Sequence, residues 1–366
     1  MAKIAVDAMG GDRAPAVVVE GALLAAREPG IEVILVGQTD AVQQELARHR
    51  THVTLPVSSA TQVVAMHESP SSALRKKDSS IKVAFDLMKR GDVDAVVSAG
   101  NSGAMMATGM LVVGTLPQVA RPAILIVVPS VAMGTVIVDA GANVDCKPQH
   151  LVQFGLMGST YAEKVLGVAK PRVGLLSNGE EEGKGTLLTR AASELLSATT
   201  LNYVGYVEGR DIFNGKVDVV VCDGFTGNVA LKTIEGVAGF VENVLKGALR
   251  KNLTTRIGSL MIRKSLKEAY NRLDYAEYGG APLIGLDGVA IVAHGGSDPR
   301  AIKNAIRAAS AAVEQGVNRQ INEALGATGE LTDAEANGLP GRLWRRFKSK
   351  IDSLAEKPAT AKEGEK

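Results

Sequence analysis

The residues of this chain best suited to chemistry lie in glycine-rich stretches that follow apolar runs. Small residues there let backbone N–H groups approach an anion, and a helix that starts after the loop adds partial positive charge. One helix end contributes only about 0.3–1 kcal/mol, so several loops must converge to hold an oxyanion. Six such stretches occur, at Asp7–Asp12, Ser98–Ala104, Asp139–Asn143, Ser177–Gly185, Cys222–Asn228 and His294–Asp298.

Each stretch also has an ordinary structural explanation, because Gly, Asn and Asp are common in turns and at helix N-termini. Other phosphate or nucleotide motifs fit poorly. No GxGxxG follows the first predicted strand, and residues 179–186 are one residue too short for a P-loop and carry three carboxylates. No HExxH or GxSxG motif is present. Six loops in one chain favour an anion site over turns alone.

Short Val- and Ile-rich runs alternate with amphipathic segments such as Ala16–Arg27, Leu151–Leu166 and Pro299–Gln315. This alternation predicts a three-layer α/β/α fold around a mostly parallel sheet. Ligands in such sheets bind at the carboxyl ends of strands, so we expect the six loops to meet at one edge. The predicted strands are Lys3–Asp7, Glu32–Val36, Asp94–Ala99, Ala123–Val128, Thr135–Asp139, Arg172–Ser177, Asn202–Val207 and Val217–Asp223.

Composition narrows the class of protein. The 366 residues are 46% hydrophobic, which is enough for a core in one large domain or two lobes. A net charge of +2 argues against a general nucleic-acid binder.

Cys146 and Cys222 form no CxxC pair, so neither a disulfide framework nor a zinc site is expected. The chain opens without a signal-peptide pattern, and its longest apolar run is too short to span a bilayer, which favours a cytoplasmic location.

Taken together, the loop sequences resemble those of the bacterial phosphate acyltransferases, the acyl-ACP:phosphate transacylase (PlsX) family. The resemblance runs in order from residue 4 to about residue 325. It rests on DAMGGD, SAGNSGA, RPA at Arg121–Ala123, DAGAN, QFGLMGSTYA, LLSNGEEEGKG, EGRDI, VVVCDGFTGNVALK and YGGAPLIGLDG with HGGS.

The resemblance implies an isocitrate/isopropylmalate dehydrogenase-like fold, shared with phosphotransacetylases. It implies transfer of a fatty acyl group from acyl carrier protein (ACP) to inorganic phosphate, which forms acyl phosphate for phospholipid synthesis, with no metal or organic cofactor. It also implies a homodimer that contacts the inner face of the cell membrane peripherally and supplies a glycerol-3-phosphate acyltransferase.

For this reaction we expect phosphate to be held by backbone amides of two loops. Lys184 would be the main phosphate cation, and His294 would protonate the leaving thiolate or donate to the oxyanion, where each well-placed donor gives about 10²–10³-fold. The ordinary alternatives are a solvated loop lysine and a capping histidine. The candidate catalytic residues are Lys184, His294 and Asn228, and the candidate phosphate-binding residues are Ser98, Gly100, Asn101, Ser102, Gly103, Gly224, Thr226 and Gly227.

The two cysteines are predicted to be structural thiols, because neither has a histidine partner in the sequence. We therefore expect direct acyl transfer in a ternary complex, without an acyl-enzyme intermediate.

Residues 1–335 are interpreted as a single catalytic domain, in one or two lobes, that includes a helical hairpin at about 236–275. The hairpin is basic, and apolar residues near its turn favour contact with acidic ACP or with an anionic membrane. A solvated face beside a dimer contact is the alternative. The residues expected to make the contact are Arg256, Ile257, Leu260, Met261, Arg263, Lys264 and Lys267.

Residues 336–366 are predicted to form a basic amphipathic and disordered tail, which contains the only tryptophan, Trp344. The tail could lie on lipid or pack on the body of the protein. Three other functions stay open: a CoA-dependent phosphotransacetylase, a non-catalytic scaffold that recruits acyl-ACP to membrane and, as a minor option, a hydride-transfer dehydrogenase.

Overall fold

The computed structural model describes residues 1–132, 134–181, 183–264 and 279–336, and of 327–336 the backbone alone. Eleven strands in these residues form one sheet, in the order β3-β2-β1-β4-β11-β10-β5-β6-β9-β7-β8. The strands are β1 (Ala2–Asp7), β2 (Ile31–Gly37), β3 (Val57–Ser59), β4 (Ala95–Ser98), β5 (Ala123–Val128), β6 (Thr135–Val138), β7 (Arg172–Leu176), β8 (Asn202–Val207), β9 (Val219–Val221), β10 (Ala281–Ile284) and β11 (Val289–Val292).

Helices cover both faces of the sheet, which gives the three layers expected from the sequence. Successive residues of β4 and of β6 enter different hydrophobic clusters, because their side chains alternate between the two faces. The helices are α1 (Ala16–Ala25), α2 (Thr39–Arg48), α3 (Pro70–Arg75), α4 (Ser80–Lys89), α5 (Ser102–Val112), α6 (Pro148–Lys164), α7 (Leu187–Ser197), α8 (Gly224–Arg250), α9 (Leu253–Met261), α10 (Pro299–Glu314) and α11 (Val317–Ala336), with a 3₁₀ turn at Gly209–Ile212.

All eight predicted strands are present, and β5 and β8 agree with the prediction to the residue. The prediction omitted β3, β10 and β11. Strand β3 has only three residues, and β10 contains Pro282 and follows two glycines, which is unusual for a strand in the middle of a sheet.

The strand directions divide the sheet into two halves. Seven of the ten strand pairings are parallel, and the three antiparallel ones are β11 with β10, β10 with β5, and β5 with β6. As a result β1, β4 and β11 run opposite to β6, β9 and β7. The expectation that all six loops meet at one edge is therefore wrong for a single chain, because the two sets of strands end at opposite edges.

The predicted hairpin region begins earlier and turns elsewhere than expected. Helix α8 starts at Gly224 and continues to Arg250, and α9 covers the stretch in which the turn was predicted. The break falls at Lys251–Asn252, because the Asn252 side chain accepts a hydrogen bond from Thr255 N and so starts a new helix. The second half of the predicted helical hairpin, with Lys267, continues into residues 265–278, outside the described part. Residues 337–366 of the predicted tail also lie outside the described part.

Within the described residues, none of the helices combines the length and the apolar character that crossing a bilayer requires.

Candidate active site

The six glycine-rich loops form two groups. The first loop group follows β1, β4 and β11 and consists of Asp7–Asp12, Ser98–Ala104 and His294–Asp298. The second loop group follows β6, β7 and β9 and consists of Asp139–Asn143, Ser177–Gly185 and Cys222–Asn228. Five strand spacings separate β4 from β9 in the sheet, or about 24 Å. One chain therefore cannot wrap both groups around the same phosphate.

A buried carboxylate organises the first loop group. Asp7, at the end of β1, accepts hydrogen bonds from Ser98 Oγ at 2.7 Å and from Met9 N at 3.1 Å. Ser98 Oγ in turn accepts from Gly100 N at 3.0 Å. Burial raises the pKa of Asp7, and these hydrogen bonds oppose that rise. Ser98 and Gly100 thus hold two loops in register, and their polar groups are already engaged within the protein.

Asn101 is the N-cap of α5, as the ordinary explanation of this loop predicts. Its Oδ1 accepts from Ala104 N at 2.9 Å, and its Nδ2 donates to the carbonyl oxygens of Met66 and Glu68 at 3.0 and 2.8 Å. The side chain of Asn101 is therefore fully used in tying α5 to the segment before α3. The amides of Ser102 and Gly103 precede the first intrahelical hydrogen bond, so they face the loop edge as helix N-termini do.

His294 follows β11 in the loop before α10. The backbone N–H of Gly296 donates to its Nδ1 at 3.1 Å, so the neutral ring carries its proton on Nε2. The cap of α10 is Asp298, whose Oδ1 accepts from Ala301 N at 2.8 Å. The capping explanation of His294 is thus wrong, and its ring is oriented by its own loop as an Nε2–H donor.

The His294 loop is fastened to the loop after β1. Asp12 N donates to Gly295 O at 2.9 Å, and Arg13 Nη2 donates to Gly296 O at 3.3 Å and to Ser297 O at 2.9 Å. Arg13 therefore positions the loop that carries His294, and the sequence analysis did not single it out. The N-termini of α1, α5 and α10 all lie at this edge, each after a parallel strand.

A second buried carboxylate organises the second loop group. Asp139 accepts five N–H hydrogen bonds, all between 2.6 and 3.1 Å, from the backbone of Ile124, Gly141, Ala142 and Asn143 and from Asn143 Nδ2. Burial raises the pKa of Asp139, and the donors oppose that rise. Asp7 and Asp139 were missed as site residues, although each directly follows a strand and opens a glycine-rich loop.

The amides of the Cys222–Asn228 loop have protein partners. Gly224 N donates to Asn143 O at 2.7 Å, Thr226 N to Asp223 Oδ1 at 2.9 Å and Gly227 N to Asp223 O at 2.9 Å. A side chain on Gly227 would collide with the carbonyl oxygen of Asp139. Glycine is needed at 227 because α8 starts close against the loop after β6. The three amides do not form the predicted phosphate cradle, because each already donates to an acceptor in the protein.

Asn228 and Lys184 are both exposed in the second loop group. The Asn228 side chain lies beside Gly141 in the neighbouring loop. The Lys184 loop is held by Asn178 Oδ1, which accepts from Gly185 N at 2.8 Å, and by Glu180, which pairs with Lys216 at 2.7 Å. The structure brings Asn228 and Lys184 to the same edge of the sheet and places His294 at the other.

Neither cysteine is suited to nucleophilic chemistry. Burial, followed by the charge of Asp139, raises the pKa of Cys146 to about 11, and the same causes raise the pKa of Cys222 well above its ordinary value. A thiol with so high a pKa forms very little thiolate at neutral pH.

We therefore expect Cys146→Ala and Cys222→Ala to keep the turnover of the wild type, with Cys222→Ala losing about 1 kcal/mol of unfolding free energy because its side chain is buried. Acyl phosphate formation by each folded variant measures the effect. Loss of turnover in a variant whose circular dichroism is unchanged would point to an acyl-enzyme after all.

The residues proposed to contact ACP or membrane lie on and just after α9. Arg256, Ile257, Leu260, Met261, Arg263 and Lys264 are all exposed, with Leu260 71% and Met261 83% accessible. Helix α8, which leads to them, has 27 residues but buries only Gly224 and Gly227.

The sheet order and the strand-end loops define a three-layer α/β/α enzyme fold of the kind found in phosphotransacetylases. A phosphotransacetylase from Streptococcus pyogenes superposes with a TM-score of 0.59 at 17% identity and covers 86% of this chain and 94% of its own. A branched-chain phosphotransacylase from Enterococcus faecalis V583 superposes with a TM-score of 0.52 at 13% identity and covers 86% and 99%.

Sequence comparison is more specific. A family model described as "Fatty acid synthesis protein" matches residues 2–320. The phosphate acyltransferase of Geotalea uraniireducens is 57% identical over 88% of this chain and 94% of its own length. That of Geobacter sulfurreducens is 55% identical over 88% and 93%. The chain belongs to this family of phosphate acyltransferases, which confirms the resemblance of the loops and makes the protein an acyltransferase.

Proposed function

We propose that this protein transfers a fatty acyl group from ACP to inorganic phosphate and so supplies acyl phosphate for phospholipid synthesis. The observation that carries the proposal is the first loop group, where three helix N-termini and an oriented histidine lie at one edge of the sheet in a chain related to phosphate acyltransferases. Helix N-termini favour anions, and the reaction needs a bound phosphate dianion beside a developing oxyanion.

Phosphate is bound at the start of α5 in this proposal. The first-turn amides of Ser102 and Gly103 point toward the loop edge, whereas the amides of Gly224, Thr226 and Gly227 already have acceptors in the protein. Ser98, Gly100 and Asn101 shape the loop through the hydrogen bonds described above. The phosphate dianion is itself the nucleophile, so positioning it against the thioester supplies much of the rate.

His294 serves the carbonyl or the leaving group. Because its Nδ1 accepts from Gly296 N, its Nε2–H is the donor for the oxyanion or the source of the proton that the thiolate takes up. Arg13 is a positioning residue in this scheme, since it binds the carbonyl groups of Gly296 and Ser297, which follow His294 in the loop.

Lys184 and Asn228 act on the same phosphate from a second copy of the chain. Within one chain they lie at the opposite edge of the sheet from the first loop group and at least four strand spacings, or about 19 Å, away from it, so only a homodimer can bring them to it. The unburied apolar face of α8, which includes Val237, Phe240 and Val241, supports a second chain as its cover, because a long helix without tertiary contacts is not stable in water.

The exposed tip of the α8–α9 pair is the proposed docking surface for ACP and for anionic lipid. It combines Leu260 and Met261 with Arg256, Arg263 and Lys264, which suits an acidic partner and a membrane surface. Peripheral contact there would place the product near a membrane-bound glycerol-3-phosphate acyltransferase.

The test is phosphate-dependent formation of acyl phosphate, trapped as hydroxamate, by wild type and His294→Ala with palmitoyl-ACP as donor. We expect the variant to lose about 10²-fold in kcat, because one oxyanion donor is removed. Val204→Ala, on the edge strand β8, is the matched control and should keep full activity. Wild-type turnover of acetyl-CoA but not of palmitoyl-ACP would instead support the CoA-dependent phosphotransacetylase, and no turnover of either donor would support the scaffold.

A further inference from the structure

The outer face of α5 is apolar although it faces solvent. The helix, SGAMMATGMLV, contains no acidic or basic residue, whereas a surface helix normally presents charged side chains outward. Its inner residues join the hydrophobic cluster that contains Phe85. Met106 is half-buried and packs against the same cluster at the margin of the outer face. Ala107 on the outer face is half-buried, and Met110 and Leu111 are 39% and 60% exposed.

This face begins at the first loop group. Asn101 caps α5 and donates to the carbonyl oxygen of Met66, whose side chain is 43% exposed at the same end of the helix. An acyl carbonyl that reacts with phosphate at Ser102 and Gly103 therefore lies where the apolar face starts. The hydrocarbon part of the acyl group must extend away from the reacting carbonyl. Helix α5 offers an uncharged surface that starts beside this carbonyl.

The dimensions and chemistry of the face suit a saturated chain. Helix α5 is about 16 Å long, and one leaflet of a bilayer holds about 15 Å of acyl chain. Methionine side chains are flexible and polarisable, so they adapt to ligands of varied length. This face carries no polar side chain that could bind a lipid headgroup or a charged partner.

We propose that the outer face of α5, formed by Ala107, Met110 and Leu111 with Met106 at its margin, is the track along which the fatty acyl chain lies during transfer. The inference rests on the proposed function and adds the path of the chain to it. Discrimination by acyl length then arises on this helix, away from the reacting atoms.

The first test compares a long and a short donor on the same ACP. Leu111→Glu should lower kcat/KM for palmitoyl-ACP by about tenfold or more and that for butyryl-ACP by less than about twofold, because only the long chain reaches residue 111. The control Val204→Glu places the same charge on an exposed apolar position of β8 and should change neither value. Equal losses for both donors in Leu111→Glu would overturn the track.

A second measurement uses the wild-type protein and so does not depend on the folding of a variant. Palmitoyl-ACP with a photoreactive diazirine at the end of the chain should label α5, and labelling confined to other elements would overturn the proposal. If Leu111→Glu changes the oligomeric state while the label is found elsewhere, a second copy covers this face instead. If the wild type forms no acyl phosphate from any donor, the proposed function itself is wrong. If the wild type is active but Leu111→Glu affects the long and the short donor equally, only the proposed path of the acyl chain is wrong.

Discussion

The Gly227→Ala variant will have a free energy of unfolding about 3 kcal/mol or more below that of the wild type, at the upper end of the cost of overpacking. The added methyl group would collide with the carbonyl oxygen of Asp139 and lie 2.9 Å from Cys222 Sγ. Asp139 and Cys222 are both buried, and the loop that contains Asp139 cannot move away without breaking the hydrogen bonds of that carboxylate. Urea unfolding followed by circular dichroism measures the difference.

Gly236→Ala is the matched control, because it makes the same change in the same helix where no atom lies within 4 Å of the new methyl group. Alanine stabilises an exposed helical position by about 0.5–1 kcal/mol relative to glycine, so this variant should be slightly more stable than the wild type. Equal stability of the two variants would show that α8 does not need its close approach to the loop after β6.

Mixing two inactive variants should restore activity if each active site is shared between two chains. Lys184→Ala and His294→Ala homodimers each lack one group at every site, so both are expected to lose about 10²-fold or more in kcat. A heterodimer of the two contains one site with both groups intact. Co-expression of the variants with different tags, followed by double affinity purification, supplies that species for the hydroxamate assay.

The control for this experiment is the His294→Ala homodimer whose two chains carry different tags, which should stay inactive after the same double purification. Purified mixed heterodimers without restored turnover would show that Lys184 and His294 do not act together across two chains. A Lys184→Ala homodimer with full activity would remove Lys184 from the mechanism and leave the first loop group as the site.

The positions of most strands could be predicted, because apolar runs are bounded by residues that end strands. Pro122 and Pro129 flank β5, and its predicted limits agree with the structure. Strand direction could not be predicted in the same way. The reversal depends on which residues pair across β10, a four-residue strand that lies between β11, its neighbour in the chain, and the distant β5.

The loops show a second limit of prediction from sequence. Glycines in a loop after a strand allow either an anion or another segment of the protein to approach the backbone. Gly103 packs against the Pro70 ring, but its amide precedes the first intrahelical hydrogen bond of α5, whereas Gly227 accommodates the carbonyl group of Asp139. The two cases have the same composition, and only the partners of the amides distinguish them. Asn101 shows the same ambiguity, since its amide is used entirely within the protein.

The way β10 joins the two halves of the sheet has a mechanical consequence. Ala281 and Pro282 pair only with β11, and Leu283 and Ile284 pair only with β5, so the register leaves each of these residues bridged on one side. Strand β5 shares this pattern, because Ala123 and Ile124 pair with β10 and the residues from Leu125 to Val128 pair with β6. The other internal strands are held along part of their length by both neighbours. We therefore expect the sheet to bend most easily at β10 and β5, within the limits set by the hydrophobic cluster that joins Ile284 and Ala312 to Val138.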